Sequence, residues 1–140
     1  MDLDALKDRL RLDEGLRLKP YGDLKSKITI GYGRNLTDGG ISQEEAEALL
    51  DRDVEIAIAT VRGSWQSFDR LDDVRQQVVV NMVFNLGIVG FLNFKHTIAA
   101  MAQGNYAEAA RGMRASLWAK QVGARAERLT VAMETGAFLL

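Results

Sequence analysis

Two carboxylates and a threonine near the start of the chain have the residue types that cleavage of a glycosidic bond requires. They are Glu14, Asp23 and Thr29, within the stretch DEGLRLKPYGDLKSKITIGYGR at 13–34. The reaction needs one carboxylic acid to protonate the leaving oxygen and a second carboxylate to activate water or attack the sugar. Glu14 ends a predicted helix with apolar neighbours and is the candidate acid, whereas Asp23 in a polar turn is the candidate carboxylate. The pattern is compatible with a glycosidase cleft in which Thr29 holds a water, but by itself it is a weak signal, because acidic residues at helix ends and in turns are usually structural.

The residues before this stretch predict a helix. Apolar residues between 3 and 12 form one stripe, and Gly15 is suited to end the helix. Asp13 and Glu14 would then lie at the negative end of a helix dipole, where a carboxylate is disfavoured by about 0.3–1 kcal/mol. A nearby arginine or a retained proton is therefore expected.

After Gly15 the helical period gives way to alternation. Residues 16–21 predict a strand that leads into a turn, and residues 27–33 alternate strictly. The bulky face, predicted to be the core side, comprises Ile28, Ile30 and Tyr32. The opposite face comprises Thr29, Gly31 and Gly33, which predicts close approach of a ligand. The alternative interpretation is an edge strand weakened by its glycines.

The remaining sequence is helical in pattern. Ser42, with Glu45 three residues later, forms a capping box that starts a helix reaching about Arg62. The segment 35–41 is predicted to be a turn-rich connection, and 71–86 a buried helix. That helix is predicted to be broken by Gly87 and Gly90. Helices over 94–103, 106–115 and 125–135 complete the prediction, so the fold class is α+β, mostly helical.

Composition narrows the classes of site and partner. The chain has 140 residues, no cysteine and a single histidine, which excludes disulfides and thiolate metal sites. His96 is predicted to be a surface or helix-start residue that is neither catalytic nor metal-binding, and no metal or cofactor is expected. The net charge of −1 does not favour nucleic acid. Residues 95–128 nevertheless carry six basic and two acidic side chains, which favours an anionic polymer or is simply a solvated surface.

The N-terminus has no apolar signal region, and the apolar runs are predicted to be too short to span a bilayer. Trp65 and Trp118 are predicted to be core residues rather than sugar platforms. Asn81 and Asn85 lie one turn apart on the buried helix and need hydrogen-bond partners. They either line the cleft or form an internal network.

Several motifs, in order, resemble those of the phage lysozymes of the T-even type, glycoside hydrolase family 24. Glu14, Asp23 and Thr29 have the spacing of that family's catalytic Glu, Asp and Thr, and DEGLRLKPY and TIGYGR are similar in character. Further on, LDDVRQQVVVNMVFNLG resembles the family's central helix, and LWAKQVGARAERLTVAMETG resembles its closing segment. The resemblance covers most of the chain.

The resemblance implies a two-lobed phage lysozyme-like fold in one catalytic domain, 1–140. A small β-containing lobe and connecting helix would occupy 13–60, and a helical lobe would comprise 1–12 plus 61–140. The implied activity is that of a bacteriolytic endolysin for host-cell lysis. It hydrolyses the β-1,4 bond between N-acetylmuramic acid and N-acetylglucosamine in bacterial peptidoglycan, with inversion.

The same resemblance implies roles for individual residues. Glu14 is the general acid, and Asp23 and Thr29 orient the attacking water. Arg125 matches an arginine that pairs with the acidic helix end, where Asp13 is a supporting residue. Contacts with the substrate are predicted for Gly31, Tyr32, Gly33, Asn81 and Asn85.

The chain is expected to be a monomer that neither binds nucleic acid nor inserts into membranes. We expect it to be made in the host cytoplasm without a signal peptide and to act on the wall after release. It departs from familiar family members at Arg34, where a histidine is common, and in the short segment 35–41, which predicts a reduced third strand. Its slightly negative charge is also unusual for a protein that acts on an anionic wall.

Three alternatives remain open at this point. A lytic transglycosylase uses one glutamate and no water-activating aspartate, so Asp23 and Thr29 argue against it. A non-catalytic module would bind wall sugars or a protein partner on the same fold. A helix-turn-helix DNA binder is disfavoured by the net charge.

Overall fold

The computed structural model describes residues 1–139 and confirms the α+β, mostly helical class. The chain divides into two units, Met1–Leu49 and Leu50–Leu140. The first unit contains α1 (Leu3–Glu14), β1 (Arg17–Gly22), β2 (Ile28–Gly31), β3 (Arg34–Asn35) and α2 (Leu36–Gly39). Helix α3 (Gln43–Ser64) includes residues of both units. The second unit continues with a 3₁₀ helix (Gln66–Arg70), α4 (Asp73–Leu92), α5 (Lys95–Ala102), α6 (Tyr106–Arg114), α7 (Leu117–Val122) and α8 (Ala124–Thr135).

Helix α1 begins and ends where its sequence provides caps. The Asp2 carboxylate accepts from the Ala5 amide at 3.0 Å, and the Gly15 amide donates to the Arg11 carbonyl at 3.0 Å. Gly15 has a φ of 71°, so the helix ends at Glu14 and presents this residue at its terminus. The leucines of the stripe are exposed: Leu3 by 60%, Leu6 by 41% and Leu10 by 45%. Helix α1 belongs to the first unit, and the predicted grouping of 1–12 with 61–140 stays a prediction.

The three strands form one antiparallel sheet in the order β1-β2-β3. Strand β2 ends at Gly31, earlier than predicted, because Gly31 and Gly33 both adopt positive φ, 69° and 77°, and turn the chain. Strand β3 is only two residues long, a short third strand. The connection 35–41 also contains α2, capped by Asn35, whose side chain accepts from the Asp38 amide at 3.0 Å.

The prediction of a core side on β2 was wrong. Ile28 is 46% exposed and Tyr32 47% exposed, whereas Thr29 on the opposite face is only 5% exposed. Alternation identified the two faces correctly but not the buried one, because bulk alone does not determine burial in so small a sheet. Thr29, and not its bulky neighbours, is therefore the enclosed residue of this strand.

Helix α3 starts with the predicted capping box. The Glu45 amide donates to the Ser42 hydroxyl at 3.1 Å, and the Ser42 amide donates to the Glu45 carboxylate at 3.0 Å. Helix α4 is interrupted at Gly87, which has non-helical φ and ψ of 76° and 166°. Gly90 does not break the helix, which continues to Leu92. The expected break at Gly90 was therefore wrong.

The core of the second unit lies among α3, α4, α5, α6, α7 and α8 and the 3₁₀ helix. Its fully buried larger side chains are Val61, Val78, Val79, Met82, Phe91, Thr97, Met113, Thr130 and Met133. Trp118 is 5% exposed, and the partly buried Trp65 packs against the same cluster, so both are core residues as predicted. Helix α7, which carries Trp118, was not predicted, since six residues are too few for a clear helical period.

Of the helices in residues 1–139, one is long and apolar enough to cross a bilayer by length and composition alone. It is α4, and core helices of soluble proteins pass the same test. The prediction that the apolar runs are too short to span a bilayer did not take account of this helix. Asn81 and Asn85 interrupt its apolar runs without making the whole segment polar. The absence of membrane insertion stays a prediction.

Candidate active site

The carboxylate of Glu14 lies directly against the backbone of Gly33. A β-carbon added at Gly33 would stand 2.6 Å from Glu14 Oε2 and 2.9 Å from Glu14 Cδ. Gly33 also has a φ of 77°, a conformation that residues with a β-carbon rarely adopt. The end of α1 and the turn after β2 thus meet at this point, and the absence of a side chain at Gly33 provides the space that Glu14 occupies.

The backbone of Lys27 holds both Asp23 and Thr29. The Lys27 amide donates to Asp23 Oδ1 at 2.8 Å, and its carbonyl accepts from the Thr29 hydroxyl at 3.1 Å. Asp23 Oδ1 also accepts from the Lys25 amide at 2.8 Å. One carboxylate oxygen therefore closes the hairpin loop, while Oδ2 makes no hydrogen bond within residues 1–139. A water-binding role for Asp23 requires such a free oxygen.

Gly31 and Tyr32, which are also predicted to contact the substrate, lie in the same turn as Gly33. A β-carbon added at Gly31 would have no atom within 4 Å, so open space adjoins this residue. Tyr32 is half exposed, and the Arg11 guanidinium carbon lies 6.0 Å from the centre of its ring. Asp13 is exposed and has no ion pair in the described part of the chain. The structure thus brings Glu14, Gly31, Tyr32 and Gly33 to one turn.

Arg34, the position after that turn, is fixed by the first turn of α3. Its Nη1 donates to both carboxylate oxygens of Glu45, at 2.9 and 2.8 Å, and to the Gly40 carbonyl at 3.3 Å. The hydrogen bonds from Arg34 and from the Ser42 amide hold the pKa of Glu45 at about 2, below its usual 4.5. A permanently charged guanidinium therefore anchors the strand that begins beside Gly33.

This ion pair predicts acid-dependent stability. Because the folded-state pKa of Glu45 is lowered, its contribution is complete above about pH 4.5 and is lost as the pH falls towards 2. We expect Glu45→Gln, which retains the capping acceptor, to melt below the wild type at pH 7 and to converge with it near pH 2. Thermal melts across this range measure the difference, and a gap independent of pH would contradict the assignment.

The second unit places Arg125 on Asn81. Arg125 Nε and Nη2 donate to Asn81 Oδ1 at 2.9 and 2.8 Å, and Nη2 also reaches the Asn81 carbonyl at 3.4 Å. Trp118 Nε1 donates to Asn85 Oδ1 at 2.9 Å. Both asparagines therefore have internal partners for their side-chain oxygens, while their Nδ2 groups make no hydrogen bond in residues 1–139. The pairing of Arg125 with the acidic helix end stays a prediction.

Replacing Arg125 tests the structural part of this arrangement. We expect Arg125→Ala to lower the free energy of unfolding by about 1–3 kcal/mol, because Asn81 loses its partner. The control is Arg128→Ala on the same helix, which is exposed, forms no hydrogen bond in the described residues and should change stability by about 0.5 kcal/mol or less. Urea denaturation of both variants measures the effects, and equal effects would remove this role from Arg125.

Grooves occur in both units, so volume alone does not identify a site. In the second unit, one of about 510 Å³ has a mixed lining of apolar side chains, mostly from α3 and α4, and of the polar or charged side chains Arg62, Asp73, Gln76, Gln77, Asn81 and Arg125. In the first unit, a pocket of about 490 Å³ adjoins Asp23 and is also lined by Leu24, Lys25, Lys27, Asn35 and Asp38. This pocket borders Asp23, a member of the Glu14, Asp23 and Thr29 set. The chemistry of the side chains therefore favours the first unit as the catalytic centre.

Sequence reasoning missed two contributors, Lys27 and the Arg34–Glu45 pair. Lys27 acts through its backbone, for which its side-chain type carries no signal. The pair spans eleven positions across a turn, and only the capping box at Ser42 hinted that Glu45 was fixed.

Among residues 1–139, no group of three or more His, Cys, Asp or Glu side chains could hold a metal ion. His96 lies on the surface as predicted, bonded to Glu108 at 2.8 Å.

Comparison with known proteins identifies relatives over nearly the whole chain. The phage lysozyme family model matches residues 12–132. Probable T4-type lysozyme 1 of Dictyostelium discoideum is 28% identical, with 96% of each chain covered. The pre-baseplate central spike protein Gp5 of Enterobacteria phage T4 is 31% identical, and the match covers 94% of this chain but 28% of that protein. An endolysin of Acyrthosiphon pisum secondary endosymbiont phage 1 is 40% identical over 56% of this chain and 54% of its own.

Proposed function

Since the chain belongs to the phage lysozyme family, we propose that it cleaves the β-1,4 bond between N-acetylmuramic acid and N-acetylglucosamine, with inversion. Membership makes it a glycoside hydrolase of the lysozyme type that acts on peptidoglycan. The bond and the stereochemistry rest on the two carboxyl groups. Inversion requires these groups to stand roughly 6.5–9.5 Å apart, which leaves room for a water.

The observation that carries the proposal is the different surroundings of the two carboxylates. Asp23 accepts two backbone amides through Oδ1, which fixes the orientation of its carboxylate in the hairpin loop. Glu14 is exposed, forms no hydrogen bond in the described residues, and rests against the α-carbon of Gly33. Glu14 is thus open to a glycosidic oxygen as the proposed proton donor, and Asp23 is held with Oδ2 free to accept from the attacking water.

Thr29 completes the proposed site. Its hydroxyl donates to the Lys27 carbonyl, so its lone pairs remain available to accept from a water. Lys27 holds both Asp23 and Thr29, so one backbone segment positions the two proposed water-binding groups. The open space at Gly31 and the exposed ring of Tyr32 provide a surface for a sugar beside Glu14.

The remaining substrate contacts are proposed for the asparagines of α4. Asn81 and Asn85 have their oxygens bound by Arg125 and Trp118, which fixes the orientation of each amide group. The Nδ2 groups are therefore the donors available to a sugar hydroxyl or an N-acetyl carbonyl. Pairing of Arg125 with the acidic end of α1, supported by Asp13, is part of the same proposal.

Digestion of purified peptidoglycan tests the function. We expect reducing muropeptides that end in N-acetylmuramic acid, identified by mass spectrometry, and an initial product of inverted anomeric configuration, identified by proton NMR. Products with a 1,6-anhydro ring would show a lytic transglycosylase instead. Binding without any release of reducing ends would leave a non-catalytic module. Retention of configuration would overturn the water-activating role of Asp23.

We further propose that the protein is a monomer that acts on the wall of the cell that makes it, after release from the cytoplasm. The endolysin among the relatives supports action on the wall. Added purified protein should lyse cells only where their peptidoglycan is accessible. Sedimentation analysis tests the monomer.

A further inference from the structure

Positive charge is concentrated on the sheet of the first unit. Residues 15–35 contain five basic side chains, Arg17, Lys19, Lys25, Lys27 and Arg34, and one acidic side chain, Asp23, a balance of +4. The whole chain has a net charge of −1. The sheet therefore carries the same charge balance as residues 95–128, and of these two cationic regions it is the one that carries the proposed catalytic residues.

Only part of this charge is neutralised within the molecule. Lys27 pairs with Asp38 at 3.1 Å, and Arg34 pairs with Glu45 at 2.8 Å. The other three basic side chains, Arg17, Lys19 and Lys25, are exposed and form no ion pair among residues 1–139. They remain available to an anionic ligand.

Strand register places Arg17 on the face of the sheet that carries Thr29, whereas Lys25 borders the pocket beside Asp23. Arg17 pairs with Gly31 and Tyr21 pairs with Thr29, and directly opposed residues lie on the same face of a sheet. Arg17 and Tyr21 are therefore on the same face of the sheet as Thr29. The sequence alone does not reveal this, because an irregularity between Arg17 and Tyr21 shifts the register.

Tyr21 holds the guanidinium of Arg17 in place. The Arg17 guanidinium carbon lies 4.7 Å from the centre of the Tyr21 ring, within the range of a cation–π contact. An arginine stacked on a ring keeps its in-plane N–H donors free, and none of those on Arg17 has a hydrogen-bond partner in the described part of the chain. This geometry suits a carboxylate, which accepts two parallel hydrogen bonds from one guanidinium.

We propose that Arg17, stacked on Tyr21, binds a carboxylate of the peptide that branches from N-acetylmuramic acid, and so selects peptide-bearing strands. The inference rests on the proposed function. The peptide is favoured over phosphate polymers of the wall because it is attached to the very sugar that must lie beside Thr29 and Glu14. Arg17 is thus a specificity residue rather than part of the bond-breaking chemistry.

The test compares two soluble substrates freed of phosphate polymers. One is peptidoglycan fragments with free peptide carboxylates, and the other is the same fragments with these groups converted to amides. We expect Arg17→Gln to lower kcat/KM on the free-carboxylate substrate by about tenfold, the loss of one charge-assisted contact. On the amidated substrate the wild type should fall to the level of the variant, and Arg17→Gln should cause no further loss.

Two variants separate this contact from simpler explanations. Arg9→Gln removes an exposed, unpaired charge from α1 and should leave the preference for free carboxylates intact. Tyr21→Phe keeps the ring face and should retain the preference as well. An equal loss for Arg17→Gln on both substrates, no loss on either, or the same loss with Arg9→Gln would overturn the proposal. Failure of the wild type to cut either substrate would overturn the proposed function, and this proposal with it.

Discussion

Glu14→Gln should abolish nearly all turnover while the protein stays folded and still binds peptidoglycan. Loss of a general acid typically costs about 10²–10⁴-fold in rate, and glutamine has the same shape but no proton to donate. Glu14 is exposed and makes no hydrogen bond within residues 1–139, so the substitution should remove the proton donor without removing a contact that stabilises the fold. Release of reducing ends, a thermal melt and a pull-down on insoluble peptidoglycan measure the three properties.

Glu47→Gln provides the matched control for this result. Glu47 is an exposed carboxylate on α3 with no ion pair in the described residues, so the same chemical change there should leave turnover unaltered. Wild-type turnover in Glu14→Gln would remove Glu14 from the mechanism. A melting temperature well below that of the wild type would mean that the rate loss reflects unfolding instead.

Substitution of Asp23 tests the mechanism less directly than substitution of Glu14, because the Asp23 side chain also holds the hairpin loop. Its Oδ1 accepts the amides of Lys25 and Lys27 and so closes the hairpin. Asp23→Ala would therefore open the loop and displace Thr29 through Lys27, whereas Asp23→Asn retains an acceptor oxygen. The asparagine variant is the appropriate one for the proposed water-activating role.

The sequence predicted those parts of the fold that depend on local chemistry. Gly15 ends α1, Ser42 and Glu45 cap α3, and Gly87 interrupts α4, because each of these signals acts within a turn of the chain. The fold class followed from periodicity and from the resemblance. Burial was not predictable in the same way, since Thr29 is enclosed and Ile28 is half exposed for reasons that lie outside the strand.

The sequence predicted the candidate site about as completely as it predicted the fold. Residue types and spacing indicated Glu14, Asp23 and Thr29, but not the backbone of Lys27 that joins two of them. Alternation indicated that Gly33 adjoins something closely, and the sequence could not say that its neighbour is Glu14. Register irregularities, such as the one before Tyr21, likewise depend on how strands pair and not on either strand alone.

Gly33→Ala should reduce turnover by about 100-fold, because a misplacement of roughly 1 Å in a catalytic group has an effect of this size. The new β-carbon would stand 2.6 Å from Glu14 Oε2, so the carboxylate must move. The moving atoms are the far end of a flexible side chain, which makes the clash inexpensive for folding. Stability should fall only by the strain of a positive φ, about 1–2 kcal/mol.

Gly31→Ala separates the backbone strain from the displacement of Glu14. Gly31 has a φ of 69°, close to the 77° of Gly33, but a β-carbon there meets no atom within 4 Å. Both variants should therefore melt at similarly lowered temperatures, while turnover falls much further for Gly33→Ala. Because Gly31 is itself a proposed substrate contact, the comparison is made at saturating substrate, and an equal kcat in the two variants would mean that the contact with Glu14 has no catalytic consequence.

The double variant Glu14→Gln with Gly33→Ala decides whether the alanine acts through the general acid. If it does, Gly33→Ala should cost little once Glu14 can no longer donate a proton, and the two effects on turnover will be far from additive. If the alanine instead blocks a sugar at the turn, its effect should persist in the Glu14→Gln background and should appear as a raised KM. Gly33 would then be a substrate contact, as its place on the glycine face predicts, and not the support of Glu14.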